Sequence, residues 1–158
     1  MPRRLSALVT AAAAVATAAA VSAGGPAAAA APPTTGAPCS SATTVIRIDG
    51  LAFDPPSVPA GGTSTATLTA TNCTGVDRTV SETWAGRFLS GSSTGYPAGC
   101  PVIDPLPRSV TFAPHEQVAT STGYLVFPGC TADRLRLTVT VSQGGVPLAS
   151  RTADLLIG

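Results

Sequence analysis

Polar and apolar positions along this chain alternate in short runs. The clearest run sets Leu135, Leu137, Val139 and Val141 against Arg134, Arg136, Thr138 and Thr140. A period of two puts one face of an extended strand in a core and the other in water. Gln143-Gly144-Gly145 then predicts a turn into a last strand through Val146 and Leu148, completing a hairpin. Comparable β-branched runs, divided by Gly and Pro clusters, occupy 44–49, 63–72, 76–86, 108–113, 118–127, 134–142 and 146–157. Runs at this spacing predict an all-β antiparallel sandwich or barrel of about seven to eight strands. No stretch after residue 31 keeps a helical period, and the 15 Pro and 16 Gly, many at the ends of the runs, oppose helices.

The N-terminal pattern is different. Arg3 and Arg4 precede an uncharged Ala-, Val- and Leu-rich run from Leu5 to Val21. A basic region followed by an apolar one is the layout of a cleavable signal peptide, here residues 1–31. Small residues at Val21-Ser22-Ala23 and again through Ala27 to Ala31 offer cleavage sites, the later one preferred. An uncleaved anchor is the competing reading, but the run is short for a bilayer and Ala is weakly hydrophobic. Arg3-Arg4 also suits twin-arginine export, although Leu5-Ser6-Ala7 fits that motif poorly. Gly36-Ala37-Pro38 before Cys39 lacks the residues that precede a lipidated Cys. Residues 32–43 have a Pro- and Thr-rich linker composition, and the domain is expected over 44–158. The expectation is a secreted, extracellular protein without membrane attachment after cleavage.

Charge narrows the partners. Nine Arg, two of them in the leader, face eight Asp or Glu, with no Lys and no basic block after the leader. Nucleic acid and anionic membrane are disfavoured. The lack of Lys and the Ala-rich leader suggest an actinobacterial, high-GC source. Four Cys (Cys39, Cys73, Cys100 and Cys130) in a secreted domain imply two disulfides. No pair has C-x₂-C or C-x₄-C spacing and no His adjoins any of them, which opposes zinc.

Catalytic chemistry finds little support. His115 is the single His, set in Pro114-His115-Glu116 where a turn is expected, and no G-x-S-x-G elbow occurs. Glu82, Asp104 and Glu116 are scattered, while Asp49, Asp54, Asp77, Asp133 and Asp154 mostly adjoin Gly, Pro or strand ends. Turn formation accounts for the latter group, and there is no D-x-D-x-D-G calcium loop. The expectation is therefore no enzyme, no catalytic residue, no cofactor and no metal. Trp84 shares a strand face with Val80 and Phe88, which favours a core Trp over a sugar-stacking platform. Phe112 and Phe127 are assigned to the core as well.

The long connection from Leu89 to Pro107 is flexible in its first half, Ser90 to Gly95. Its second half, Tyr96 to Pro107, is stiffened by four Pro and the disulfide expected at Cys100. Rigid loops lose less entropy on binding. Tyr96, Val102, Ile103 and Leu106 are accordingly the candidate partner-binding residues, their apolar surface being useful where a partner covers it.

Two resemblances refine this. Ile46 to Pro55 (IRIDGLAFDP), followed by Val58-Pro59-Ala60-Gly61-Gly62-Thr63 and a Thr-rich strand to Asn72, resembles the opening of Ig-like repeats of bacterial surface proteins and of cupredoxins. A cupredoxin copper needs two His and a Cys, usually with an axial Met. With His115 alone and Met1 the one Met, that likeness implies topology without copper. An Ig-like strand order would set Cys39, Cys73 and Cys130 at one end, with Cys100 in reach. Neighbourhood along that chain path favours Cys39 with Cys73 and Cys100 with Cys130, and Cys73 with Cys130 is the rival pairing. Separately, Cys100-Pro101-Val102-Ile103-Asp104-Pro105 resembles the reactive loop of the streptomycete subtilisin-inhibitor family. There Cys-Pro precedes the two residues flanking the protease-facing bond, and a later Cys closes the disulfide. That resemblance implies Val102 in the protease's primary pocket, Ile103 following and Cys130 as the partner. It covers these six residues and one Cys, and the chain runs two strands past Cys130. The expected function is a secreted, monomeric, non-catalytic Ig-like binding or structural module with a protein or cell-wall ligand. The alternative is a serine-protease inhibitor acting through Cys100 to Ile103.

Overall fold

The structure, a computed structural model, describes residues 34–35, 39, 41, 43–91 and 95–158. The expected signal peptide, its cleavage sites and most of the linker lie outside the described residues. Among those residues there are nine strands and no helix: β1 (Thr34–Thr35), β2 (Ile46–Asp54), β3 (Ser57–Val58), β4 (Thr63–Asn72), β5 (Arg78–Leu89), β6 (Leu106–Phe112), β7 (Glu116–Leu125), β8 (Arg134–Gln143) and β9 (Val146–Ile157). They form a four-stranded sheet in the order β1-β7-β4-β2 and a five-stranded sheet in the order β3-β9-β8-β5-β6. All pairs are antiparallel except β3 with β9. The second sheet curls into a half-barrel. Its β9 passes beside β2, where Arg151 Nη1 donates to the Asp49 carbonyl at 3.3 Å.

The period of two sorts the core. On β8, Leu135, Leu137, Val139 and Val141 are buried; on β5, Val80, Trp84 and Phe88 are. They meet Leu51, Phe53, Ala66, Leu68 and Ala70 of the first sheet in one cluster. The β8–β9 hairpin closes through Gly144 and Gly145, with φ of 57° and 81° between paired Gln143 and Val146. Two consecutive positive φ values suit the twist of the flanking strands and favour Gly at both positions. The β2–β4 register slips between Ile48 and Gly50, so Asp49 is a bulge residue. Its carboxylate accepts from Thr71 at 2.5 Å, Gln117 at 3.0 Å and Arg47 at 2.6 Å. Burial raises its pKa, and these bonds outweigh that, so the net shift is downward.

Three expectations change. Thr34–Thr35, inside the stretch assigned to the linker, pairs with Gln117 and Glu116 of β7 and so extends the first sheet. Phe127 is not a core residue. The alternation of β7, carried on past its end, points Tyr124 and Val126 inward and leaves Phe127 46% exposed, while Tyr124 packs edge-to-face on Phe53 with centroids 5.8 Å apart. The disulfides are Cys39–Cys73 and Cys100–Cys130, but Cys73 and Cys130 do not share an end. Cys73 follows β4 where Asn72 meets Ile46. Cys130 precedes β8, in the connection next to the paired Leu89 and Arg134. β7 runs antiparallel to β4, with Leu125 opposite Thr63, so the connection carrying Cys130 leaves where β4 begins, whereas Cys73 sits where β4 ends.

Candidate functional site

On the side away from the β2–β9 contact, a cleft of about 600 Å³ opens between β6 and β7. Trp84 and Arg108 form its inner wall, Val102 to Asp104 and Leu106 one rim, and Thr122 to Leu125 the other. Three apolar side chains stand out on the rims: Val102 is 77% exposed, Leu106 66% and Leu125 48%.

Beneath the cleft lies a polar network that begins with β5. The inward positions of β5 are Val80, Glu82, Trp84, Gly86 and Phe88, so period two buries a carboxylate among apolar neighbours. Glu82 is 1% exposed. Its Oε2 accepts from Trp84 Nε1 at 3.1 Å and Thr120 Oγ1 at 2.8 Å, and lies 3.5 Å from Arg108 Nε. Arg108 reaches across from β6 to β7, donating from Nη1 to the Ser121 carbonyl at 3.0 Å and from Nη2 to Thr122 Oγ1 at 2.5 Å. Its guanidinium carbon lies 4.2 Å from the Trp84 ring centroid, a cation–π contact. Each terminal nitrogen keeps one N–H free of these bonds. Tyr124, 8% exposed, borders the same cleft. Its hydroxyl has no hydrogen-bond partner among the described residues. Burial pushes its pKa up to about 12, against a smaller lowering by Arg108, so it is a proton donor throughout the ordinary pH range.

The Tyr96–Pro107 segment is braced at several points. Cys100–Cys130 ties it to the β7–β8 connection. Thr131 donates to the Ala98 carbonyl from N at 3.0 Å and from Oγ1 at 3.3 Å. Tyr96 Oη donates to the Pro101 carbonyl at 2.5 Å. Gly99 has φ of 70°, and a Cβ there would lie 2.1 Å from the Gly129 carbonyl oxygen. Ile103 fills the space left by Gly86, since a Cβ on Gly86 would lie 2.9 Å from Ile103 Cδ1. Of the four residues expected to meet a partner, Val102 and Leu106 line the cleft and are exposed, and Tyr96 is exposed and braces the segment. Ile103 lines the cleft from a partly buried position against the core.

His115 sits exposed on the β6–β7 turn with φ of 57° and is not part of the cleft. No group of three His, Cys, Asp or Glu that could hold a metal occurs among the described residues. Sequence reasoning set Glu82 aside as one of three scattered carboxylates and missed Arg108, Thr122 and Tyr124. Parity with Val80 and Trp84 was the available signal for Glu82; nothing local marked Arg108 as its partner.

No protein-family model matches the chain, and no curated protein does. Among solved structures it is similar to the alkylpurine DNA glycosylase AlkC of Pseudomonas fluorescens, bound to DNA containing an abasic site analog. That likeness has a TM-score of 0.52 at 13% identity, over 74% of this chain and 31% of that one. The sporulation control protein Spo0M of Bacillus subtilis gives a TM-score of 0.48 at 12% identity, over 72% of this chain and 49% of that one. The chain thus spans less than half the length of either. The likeness to AlkC is one of fold.

Proposed function

We propose that this chain is a non-catalytic binding module of the extracellular or cell-wall space, with its ligand surface at the Tyr96–Pro107 segment and the adjoining cleft. One observation carries the reading. The segment is held by a disulfide, backbone bonds and the Ile103 anchor, yet it presents Val102 and Leu106 to solvent. Ordering such a surface before binding lowers the entropy lost on contact. The two disulfides fit an oxidising compartment. An Ig-like sandwich is the fold we assign, supported by the division of seven long strands into β2-β4-β7 and β6-β5-β8-β9. Buried Trp84 on the third long strand is in keeping with that assignment. Capture from spent culture medium and cell-wall extract tests the function. Wild type should retain a partner that Val102→Asp and Leu106→Arg release, and identical capture by all three would overturn the reading.

A second reading is inhibition of subtilisin-like serine proteases. Exposed Val102, two residues after the disulfide-bonded Cys100, favours it; Ile103, turned into the Gly86 gap, is less available than a residue flanking a protease-facing bond should be. Purified protein would then slow such proteases stoichiometrically and Val102→Asp would abolish this. No inhibition across a protease panel removes it.

A further inference from the structure

Among the described residues, β7 is paired on one side over nearly its whole length and on the other hardly at all. β4 covers it from Gln117 to Leu125, whereas β1 meets only Glu116 and Gln117. In an antiparallel strand the N–H and C=O of one residue point to the same side, and successive residues alternate. Val126 exchanges backbone bonds with Gly61 and Gly62 on the β4 side. Tyr124 and Thr122 share that parity, so Ser121, Gly123 and Leu125 direct their backbone groups to the open side. Two contacts agree. The Ser121 carbonyl is taken by Arg108 from the opposite wall, and Gln117, of the same parity, faces Thr34. The outward groups of Gly123 and Leu125 have no partner among the described residues. Because four consecutive residues of β7, Thr122 to Leu125, border the cleft, it faces the edge of this strand.

Strand edges are commonly guarded by Lys, Pro, charge or a bulge. Val118 to Leu125 carries no charge and no Pro, and its register with β4 is unbroken. Across the cleft β6 has Pro107 and Arg108. A Cβ on Gly123 would meet nothing within 4 Å, so approach to this backbone is open. The cleft is close to neutral, since Arg108 is paired with Glu82 and Asp104 alone remains.

We propose that the cleft takes an extended, uncharged peptide segment of a partner protein, which adds as a strand to the open edge of β7 at Ser121 to Leu125. This rests on the binding-module reading and names its ligand class. Main-chain bonds to Gly123 and Leu125 provide affinity, and side chains on one face of the peptide meet Val102, Ile103 and Leu106. The Tyr124 hydroxyl and the spare N–H groups of Arg108 serve as donors to peptide acceptors at the cleft wall. A single chain suits the space better than a second copy of this protein. Added strands lie about 4.8 Å apart, and a folded copy would have to bring a whole sheet past the Val102 and Leu106 rim.

The test is selection from a displayed library of uncharged heptapeptides on the purified protein. Recovered sequences are remade as acetylated, amidated peptides, with and without N-methylation at alternate positions. Trp84, the single Trp, lines the cleft and reports entry by its emission. Selected peptides should shift that emission. N-methylation of one alternate set should weaken binding about tenfold or more, through loss of two or more hydrogen bonds, and the other set should change it about twofold at most. Gly123→Pro, which removes an outward N–H, should weaken every peptide, and the N-methylated series decides the matter without it if that variant does not fold. No enrichment, binding indifferent to N-methylation, or a dimer dispersed by Gly123→Pro would each overturn strand addition. Peptides lost with Val102→Asp yet indifferent to N-methylation would leave the binding-module reading standing. Absence of both peptides and any Val102-dependent capture would remove the two together.

Discussion

Arg108 should matter for stability chiefly through the carboxylate it faces. Arg108→Met removes two hydrogen bonds to β7 and the contact over Trp84. Those losses amount to about 1 kcal/mol per bond and ~0.5–1 kcal/mol for the ring. It also leaves Glu82 buried with only Trp84 and Thr120 as donors. Stranding a buried charge costs about 3–5 kcal/mol. Arg108 is itself 34% exposed, so water can replace part of it and the figure must be discounted. The expected loss for Arg108→Met is about 3–4 kcal/mol in all. Glu82→Gln keeps an acceptor for Trp84 and Thr120 and should lose about 1–2 kcal/mol. The double variant contains no stranded charge, so its loss should be about 3 kcal/mol, well below the sum of the singles. Urea unfolding followed by circular dichroism measures this without relying on Trp84, which lies in the altered site. Single losses that add to within about 0.5 kcal/mol would refute the stranded-carboxylate argument.

Gly99→Ala puts a Cβ against the Gly129 carbonyl at a positive φ. It should lose about 2–4 kcal/mol, read as a fall in melting temperature, whereas Gly123→Ala, with open space around it, should stay near wild type. An unchanged melting temperature for Gly99→Ala would show that the segment is not held as described. Tyr124 ionises near 12 in the folded chain against an ordinary value of 10.0. Its share of stability is therefore complete below pH 10 and lost as pH rises through 12, by roughly 2–3 kcal/mol. Tyr124→Phe should flatten that alkaline decline in urea midpoints measured from pH 9 to 12, and an unaltered slope would contradict the burial of the phenol.

What the sequence determined by itself is local. Alternation along 134–141 marks β8 and its inward face, Gly144-Gly145 marks a hairpin turn, and Val80, Trp84 and Phe88 mark the buried face of β5, because side-chain direction in a strand repeats every two residues. The same rule, applied to residue 82, would have placed its carboxylate in the core, though not the guanidinium that makes burial tolerable. Arg108, Thr120 and Glu82 meet only because β6 pairs with β5 while β7 belongs to the other sheet. Tertiary structure likewise decided that Ile103 fills the gap at Gly86, that Phe127 yields to Tyr124, and that Cys73 and Cys130 lie at opposite ends. It also decided which strand edge stays open among the described residues. An unpaired edge is a property of sheet order, and sheet order is set by contacts between residues far apart in the chain, which no periodicity within a single strand records.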